Sequence, residues 1–217
     1  MKSTAPASRR DESSTHLVRP RKGPWLQTFT GRPFYPQDPR PQDICIEDIA
    51  HALSLICRFG GHVREFYCVA QHSVLVSDCL VRAGRSRHDC LAALLHDASE
   101  AYAGDVVWPL KQVIGPLGYS AIEHAIEACI EDVYGLHIDA ELKAAIKHAD
   151  LRALATEKRD LVRGGTGGGA IKEAEAARTT LGTWHCDTVE PFTDVIVPLG
   201  PHDAYQLFMN RFETLRA

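Results

Sequence analysis

The stretch that most constrains this chain is Leu91-Ala92-Ala93-Leu94-Leu95-His96-Asp97-Ala98-Ser99-Glu100-Ala101-Tyr102-Ala103-Gly104-Asp105. Five consecutive apolar residues leave no polar face, so the segment reads as a helix surrounded by protein. Ser86, with Asp89 three residues on, is spaced to cap its start. The same helix then delivers His96, Asp97 and Glu100 within little more than a turn. Burying an isolated charge costs on the order of several kcal/mol or more, so these groups need a partner. A divalent cation would satisfy all three; a polar C-terminal turn is the other reading, and this stretch alone does not separate the two. On a helix, Glu100 lies over both His96 and Asp97. His96 and Asp97 themselves diverge by about 100°, so a shared ion would sit over the seam between them.

Length sets the frame for that buried helix. The chain has 217 residues, enough for one substantial core. With 45% hydrophobic and 24% charged residues it has the balance of a soluble globular protein. A net charge of -4 argues against binding nucleic acid through bulk electrostatics, while leaving room for a basic pocket that takes a small phosphate. The seven cysteines are odd in number and form no C-x-x-C pair. Cys57, Cys68, Cys79 and Cys90 recur every eleven residues, about three helical turns, as small buried hydrophobes would. A disulfide framework is therefore not expected, and a reducing, cytoplasmic compartment is. No apolar run approaches a membrane span, and no signal-peptide core precedes a cleavage site.

Residues 1–24 carry six Lys/Arg against two acids, with three prolines and few apolar side chains. This basic arm is expected to be disordered. Residues 25–217 are expected to form one domain. Trp25 to Phe29 alternates, Thr30-Gly31 follows, and Phe34-Tyr35-Pro36 leads into a proline-rich run, which predicts a short hairpin and an extended strap. From Asp43 the spacing of Ile46, Ile49, Ala50, Leu53 and Ile56 predicts a helix ending at Gly60-Gly61. A second helix covers about Cys68 to Arg82, stops at Gly84, and has His72 on its apolar stripe. Trp108, Pro109 and Lys111 read as a proline-punctuated loop. Ser120 and Glu123 are spaced as a capping box for a helix closed by Gly135. Asp139 can cap the next helix, whose core face includes Leu142, Ala145, Ile146, Ala149 and Ala153. Asp150 lies beside Ala149 on that face, a second sign of a buried cation in need of ligands. Residues 164–169 are glycine-rich but lack the lysine and hydroxyl of a phosphate-binding loop, so they read as a linker. A last helix from about Asp203 points Leu207, Phe208, Phe212 and Leu215 inward. The fold class expected is all-α.

Four groups thus fall on inward faces of three helices: His72, the pair His96-Asp97, and Asp150. Two imidazoles and two carboxylates suit one divalent transition metal, Mn, Co, Fe or Zn, with positions left for water and substrate. The order His…His-Asp…Asp resembles the HD-domain metal-dependent phosphohydrolases, over residues 48–160. Within that superfamily, LLHDASEAYAGDVVWPLK is similar to the 5'-deoxynucleotidase branch, through the acid three residues after the His-Asp pair, the Gly104-Asp105 step and Pro109…Lys111. Arg58-Phe59 upstream of His72 carries the same likeness. FTGRPFYP, IEDIAHALSLICRFGGH and FYCVAQHS also resemble phage and bacterial relatives, some of them dATP triphosphohydrolases.

The resemblance implies an HD-domain helical bundle in which His72, His96, Asp97 and Asp150 ligate the metal. It implies Glu100 and Asp105 as the acid/base pair near the attacking water, and Arg58 and Lys111 as the phosphate contacts. Phe59 and Trp108 are candidates for sugar or base contact, with core packing as the alternative for each. The expected activity is removal of phosphate from deoxynucleoside 5'-monophosphates. The alternatives are a deoxynucleoside triphosphate triphosphohydrolase and a non-catalytic nucleotide- or metal-binding module. The expected partners are a small nucleotide substrate and, by the same resemblance, further copies of the chain in a homodimer or higher oligomer. Neither stable nucleic-acid binding nor membrane association is expected.

Overall fold

The computed structural model describes residues 19–162 and 184–217; most of the basic arm and the whole glycine-rich run 164–169 lie outside the described residues. The described residues are all-α with one small hairpin. The hairpin joins β1 (Leu26–Gln27) to β2 (Pro33–Phe34), antiparallel, with Leu26 opposite Phe34. Among the described residues the helices are α1 (Ile46–Leu55), α2 (Val69–Arg82), α3 (Arg87–Leu94), α4 (Glu100–Ala103), α5 (Trp108–Ile114), α6 (Tyr119–Tyr134), α7 (Ala140–Leu161) and α8 (Pro201–Arg216). α2 lies at the centre, against α1, α3, α7 and α8. Its buried residues include Val69, Ala70, His72, Val74, Val76 and Leu80, so a histidine sits within the most enclosed stripe of the fold.

Polar contacts dock the hairpin. The Thr30 N–H and hydroxyl both donate to the buried Asp48 carboxylate on α1, at 2.7 and 2.9 Å. Phe34 stacks on Tyr102 of α4 with ring centroids 4.0 Å apart, which ties the hairpin to the segment carrying Glu100. Arg21, in the last part of the basic arm, pairs with Asp43 and donates to the Asp38 carbonyl at 3.0 Å, so residues 19–24 lie against the body.

Local signals placed several caps. Ser86 accepts the Asp89 N–H at 3.1 Å, and Asp139 accepts the Leu142 N–H at 2.8 Å. Gly135 closes α6 in the left-handed region at φ 65°, where the Leu136 N–H reaches back to the Glu131 carbonyl at 2.9 Å. A Cβ at Gly135 would meet no neighbour, so Gly135→Ala isolates the backbone cost of that turn. It is expected to lower stability by about 1–2 kcal/mol, read as a fall in the urea midpoint at unchanged slope.

Elsewhere tertiary contacts overrode the local pattern. The predicted helix through His96, Asp97 and Glu100 is broken: α3 stops at Leu94, residues 95–99 turn, and α4 starts at Glu100. The His96 ring explains the break. Its Nδ1 donates to the Ala93 carbonyl at 2.8 Å, occupying the acceptor that a continuing helix would offer to the Asp97 N–H. The chain tightens instead into successive three-residue bonds, Ala98 N–H to Leu95 and Glu100 N–H to Asp97, both 3.0 Å.

α1 likewise ends at Leu55 rather than near Gly60. Here the backbone turns to pair with the lead-in to α2: Arg58 N–H to the Tyr67 carbonyl at 2.9 Å and Val69 N–H to Ile56 at 3.1 Å. The expected loop at Trp108 is helix α5, with Pro109 in its first turn, where a missing N–H costs no hydrogen bond. Ser120 is not a cap, since α6 starts at Tyr119 after Gly118, and Glu123 turns to Lys111 instead. α8 begins at Pro201, and it buries Ala204 and Phe208 while Leu207 stays 37% exposed.

Candidate metal centre

Three segments converge on one point. α2 contributes His72, the turn between α3 and α4 contributes His96 and Asp97, and α7 contributes Asp150. One donor atom from each of His72, His96 and Asp97 lies within 4.8 Å of the others, close enough to hold a metal ion together. Asp97 Oδ2 is 3.1 Å from His96 Nε2 and 3.5 Å from His72 Nε2. Asp150 joins from the other side, its Oδ1 3.5 Å from His72 Nε2, while its second oxygen accepts from Lys147 Nζ at 2.8 Å. The break in the helix is what allows this: adjacent residues that a regular helix would splay apart meet across a turn.

Both imidazoles are oriented by their other nitrogen. His96 gives Nδ1 to the Ala93 carbonyl. His72, fully buried, is 2.6 Å through Nδ1 from Glu157 Oε1, also fully buried. The two Nε2 atoms are buried and have no hydrogen-bond partner. Buried nitrogens without a hydrogen bond are rare without a reason, and a pair of them converging on a carboxylate could hold a cation. The donor set, two imidazoles with one or two carboxylates, fits a divalent transition metal.

Glu157 is the residue the sequence reading missed. It lies seven residues after Asp150 on α7, two helical turns along the same face, and that spacing within the apolar stripe was the available signal. Its carboxylate serves two cations: Oε1 binds His72, and Oε2 accepts from Arg58 Nε at 3.2 Å, with Arg58 Nη2 at 3.1 Å. The remaining Arg58 nitrogen, Nη1, faces Asp97 Oδ2 at 3.7 Å.

The electrostatics follow from this packing. Burial and the Arg58 guanidinium oppose a charged His72, but the carboxylates of Glu157 and Asp150 outweigh both and push its pKa up to about 9. Burial would raise Asp97, yet His96, His72 and Arg58 hold it well below the usual carboxylate range. Asp150 is held low in the same way, chiefly by His72 against its own burial.

Glu100 behaves oppositely: burial, with Asp97 and Asp105 nearby, drives its carboxyl well above the ordinary range. Its Oε2 is buried without a partner. Burial also raises Asp105, outweighing Arg58. Glu100 opens α4 beyond the turn, its N–H bonded to the Asp97 carbonyl at 3.0 Å, rather than continuing a regular helix from His96 and Asp97.

The remaining candidates are more dispersed. Lys111 is engaged by Glu123 at 2.6 Å. Phe59 follows Arg58 in a short 3-10 turn, with φ at 57°, the one described residue other than glycine in the left-handed region. Its ring lies under the Arg58 guanidinium, 5.5 Å from centroid to Cζ. Trp108 is 53% exposed at the start of α5. All seven cysteines are free. No described helix is long and apolar enough to cross a membrane.

Fold and site together define an all-α protein built around a His-His-Asp group that could hold a metal ion. No family model matches the chain. It is 38% identical over 193 residues to uncharacterized protein YfdR of Escherichia coli (strain K12), covering 88% of this chain and 95% of that protein, and it belongs to the same family. An uncharacterized protein of Rhodobacter capsulatus is 37% identical over 163 residues, 72% of this chain and 79% of its own length.

Proposed function

We propose that this protein is an HD-domain metal-dependent phosphohydrolase that acts on nucleotides, removing phosphate from deoxynucleoside 5'-monophosphates. The observation that carries the reading is the pair of buried Nε2 atoms of His72 and His96 that make no hydrogen bond and converge on Asp97, each ring oriented from behind through Nδ1. His72, His96 and Asp97 would hold the metal, with Asp150 completing the set. A bound divalent metal supplies Lewis acidity, lowering the pKa of water from about 15.7 towards 7 and polarising a phosphoryl oxygen.

The chain's own groups have separate tasks. Glu100 is a buried carboxyl with a free oxygen, suited to exchanging a proton with the attacking water. Asp105 orients that water. As the water oxygen bonds to phosphorus, the bond to the nucleoside 5'-oxygen breaks. Glu100 takes the water's proton and returns it to the leaving oxygen. Arg58 presents Nη1 to the phosphate while Glu157 holds Nε and Nη2. Lys111 would add a point charge once released from Glu123.

The test is a panel of mono-, di- and triphosphates of deoxy- and ribonucleosides, each with Mn²⁺, Co²⁺, Fe²⁺ and Zn²⁺, with products identified. Orthophosphate from a monophosphate supports the proposal. Tripolyphosphate from dATP would move the assignment to triphosphohydrolase, and binding without turnover would make the protein a nucleotide-binding module. Asp97→Ala is expected to abolish stoichiometric metal binding, measured by elemental analysis after dialysis. Retention of one metal per chain in that variant would remove Asp97 from the ligand set.

A further inference from the structure

Trp184 and His185 come from the far side of the glycine-rich run, in a stretch with no likeness to the motifs above, yet they stand beside Phe59 and Trp108. The Trp184 and Phe59 ring centroids are 6.1 Å apart at 42°. His185 meets Trp108 edge-on at 4.2 Å and 77°. Lys158 Nζ lies 5.0 Å over the Trp184 ring.

A fixed turn displays the pair. Asp187 N–H bonds the Trp184 carbonyl at 3.0 Å, the Trp184 N–H bonds Asp187 Oδ2 at 2.9 Å, and Lys158 pairs with the Asp187 carboxylate. Cys186, between them in this turn, is buried and acts as its plug. Both tryptophans keep exposed surface: Trp184 is 39% exposed and Trp108 53%. The Arg58 guanidinium over Phe59 connects this aromatic row to the metal-binding group, since Arg58 Nη1 faces Asp97.

We propose that Trp184 and His185 complete, with Phe59 and Trp108, a recognition platform for the flat heteroaromatic ring of a phosphate-bearing ligand, the nucleobase of a nucleotide, whose phosphate reaches Arg58. The inference rests on the nucleotide reading above and assigns it a specificity site. Phe59 and Trp184 already touch, so a base lies across the outward faces of the row rather than between two rings. Stacking of this kind tolerates different bases, because every base has a π face, and selects against phosphate esters that have none.

The experiment compares wild type, Trp184→Ala, Trp184→Phe and His185→Ala on a deoxynucleoside 5'-monophosphate and on ribose 5-phosphate. Equilibrium dialysis of the same nucleotide without added metal runs alongside. Trp184→Ala is expected to lower kcat/KM for the nucleotide relative to ribose 5-phosphate by about tenfold, through KM, and to weaken nucleotide binding by a similar factor. Trp184→Phe should restore most of both, which a lost structural contact would not require. Equal ratios in wild type and Trp184→Ala, with nucleotide hydrolysis intact, would overturn the platform and leave the hydrolase reading standing. Nucleotide binding that depends on Trp184 with no turnover under any metal would sink the hydrolase reading and keep the platform.

Discussion

Glu157→Ala is expected to lower the stability of the metal-free protein by about 3–5 kcal/mol, the usual cost of removing one partner from a buried ion pair. Glu157 is fully buried between Arg58 and the His72 imidazole, and both would lose their nearest carboxylate at once. The measurement is the urea midpoint, with the denaturant slope checked for constancy. A shift below about 1 kcal/mol would mean that the Arg58-Glu157-His72 trio contributes little to holding α7 against α2. Glu157→Gln keeps the volume and an acceptor for His72 but gives up the charge. It is expected to fold and to bind metal about 10–100-fold more weakly, since the group behind a ligating histidine sets its tautomer and basicity. Metal affinity by competition with a chelating dye reads that loss without any assay of turnover.

Glu100→Gln is expected to act on the other axis. Metal stoichiometry and fold should be retained, and kcat should fall by about 10²–10⁴-fold, the range typical of a general acid/base. Glu100 sits near Asp97 and Asp105, and its ionised form is disfavoured by burial and by both charges. Removing the carboxyl therefore relieves a repulsion, so the variant should be at least as stable as wild type when metal-free. Loss of both stability and metal would make Glu100 a structural or ligating residue. Turnover near the parent rate on the best substrate would remove it from the chemistry.

The two variants would separate residues that build the site from the one proposed to act in it. His72, His96, Asp97 and Asp150 each stood out because an ionisable side chain interrupted an apolar stripe; the fold gathers His72, His96 and Asp97 into one group and sets Asp150 beside His72. Glu157 interrupts the same stripe two turns on, but no neighbouring residue marked it, and its meaning depends on what α2 and the turn after Leu55 place opposite it.

Trp184 and His185 gave still less warning. A surface turn with two aromatic rings has no periodicity, and only the packing of Lys158 and Cys186 beneath it shows which way it faces. Lys111 was legible as a cation after a proline, whereas its partner Glu123 looked like half of a capping box.

What this sequence determined by itself was the all-α class, the stops of α2 and α6 at Gly84 and Gly135, and the identity of several ionisable residues that burial would not tolerate alone. Those properties depend on contacts within about four residues, where backbone hydrogen bonds and side-chain spacing decide the outcome. Only the tertiary structure decided that the helix after Leu94 breaks, that the break turns His96 and Asp97 towards His72, and that Glu157 stands behind both the imidazole and Arg58. Those outcomes depend on which distant groups compete for the same carbonyl or carboxylate, and that competition exists only once the helices have packed.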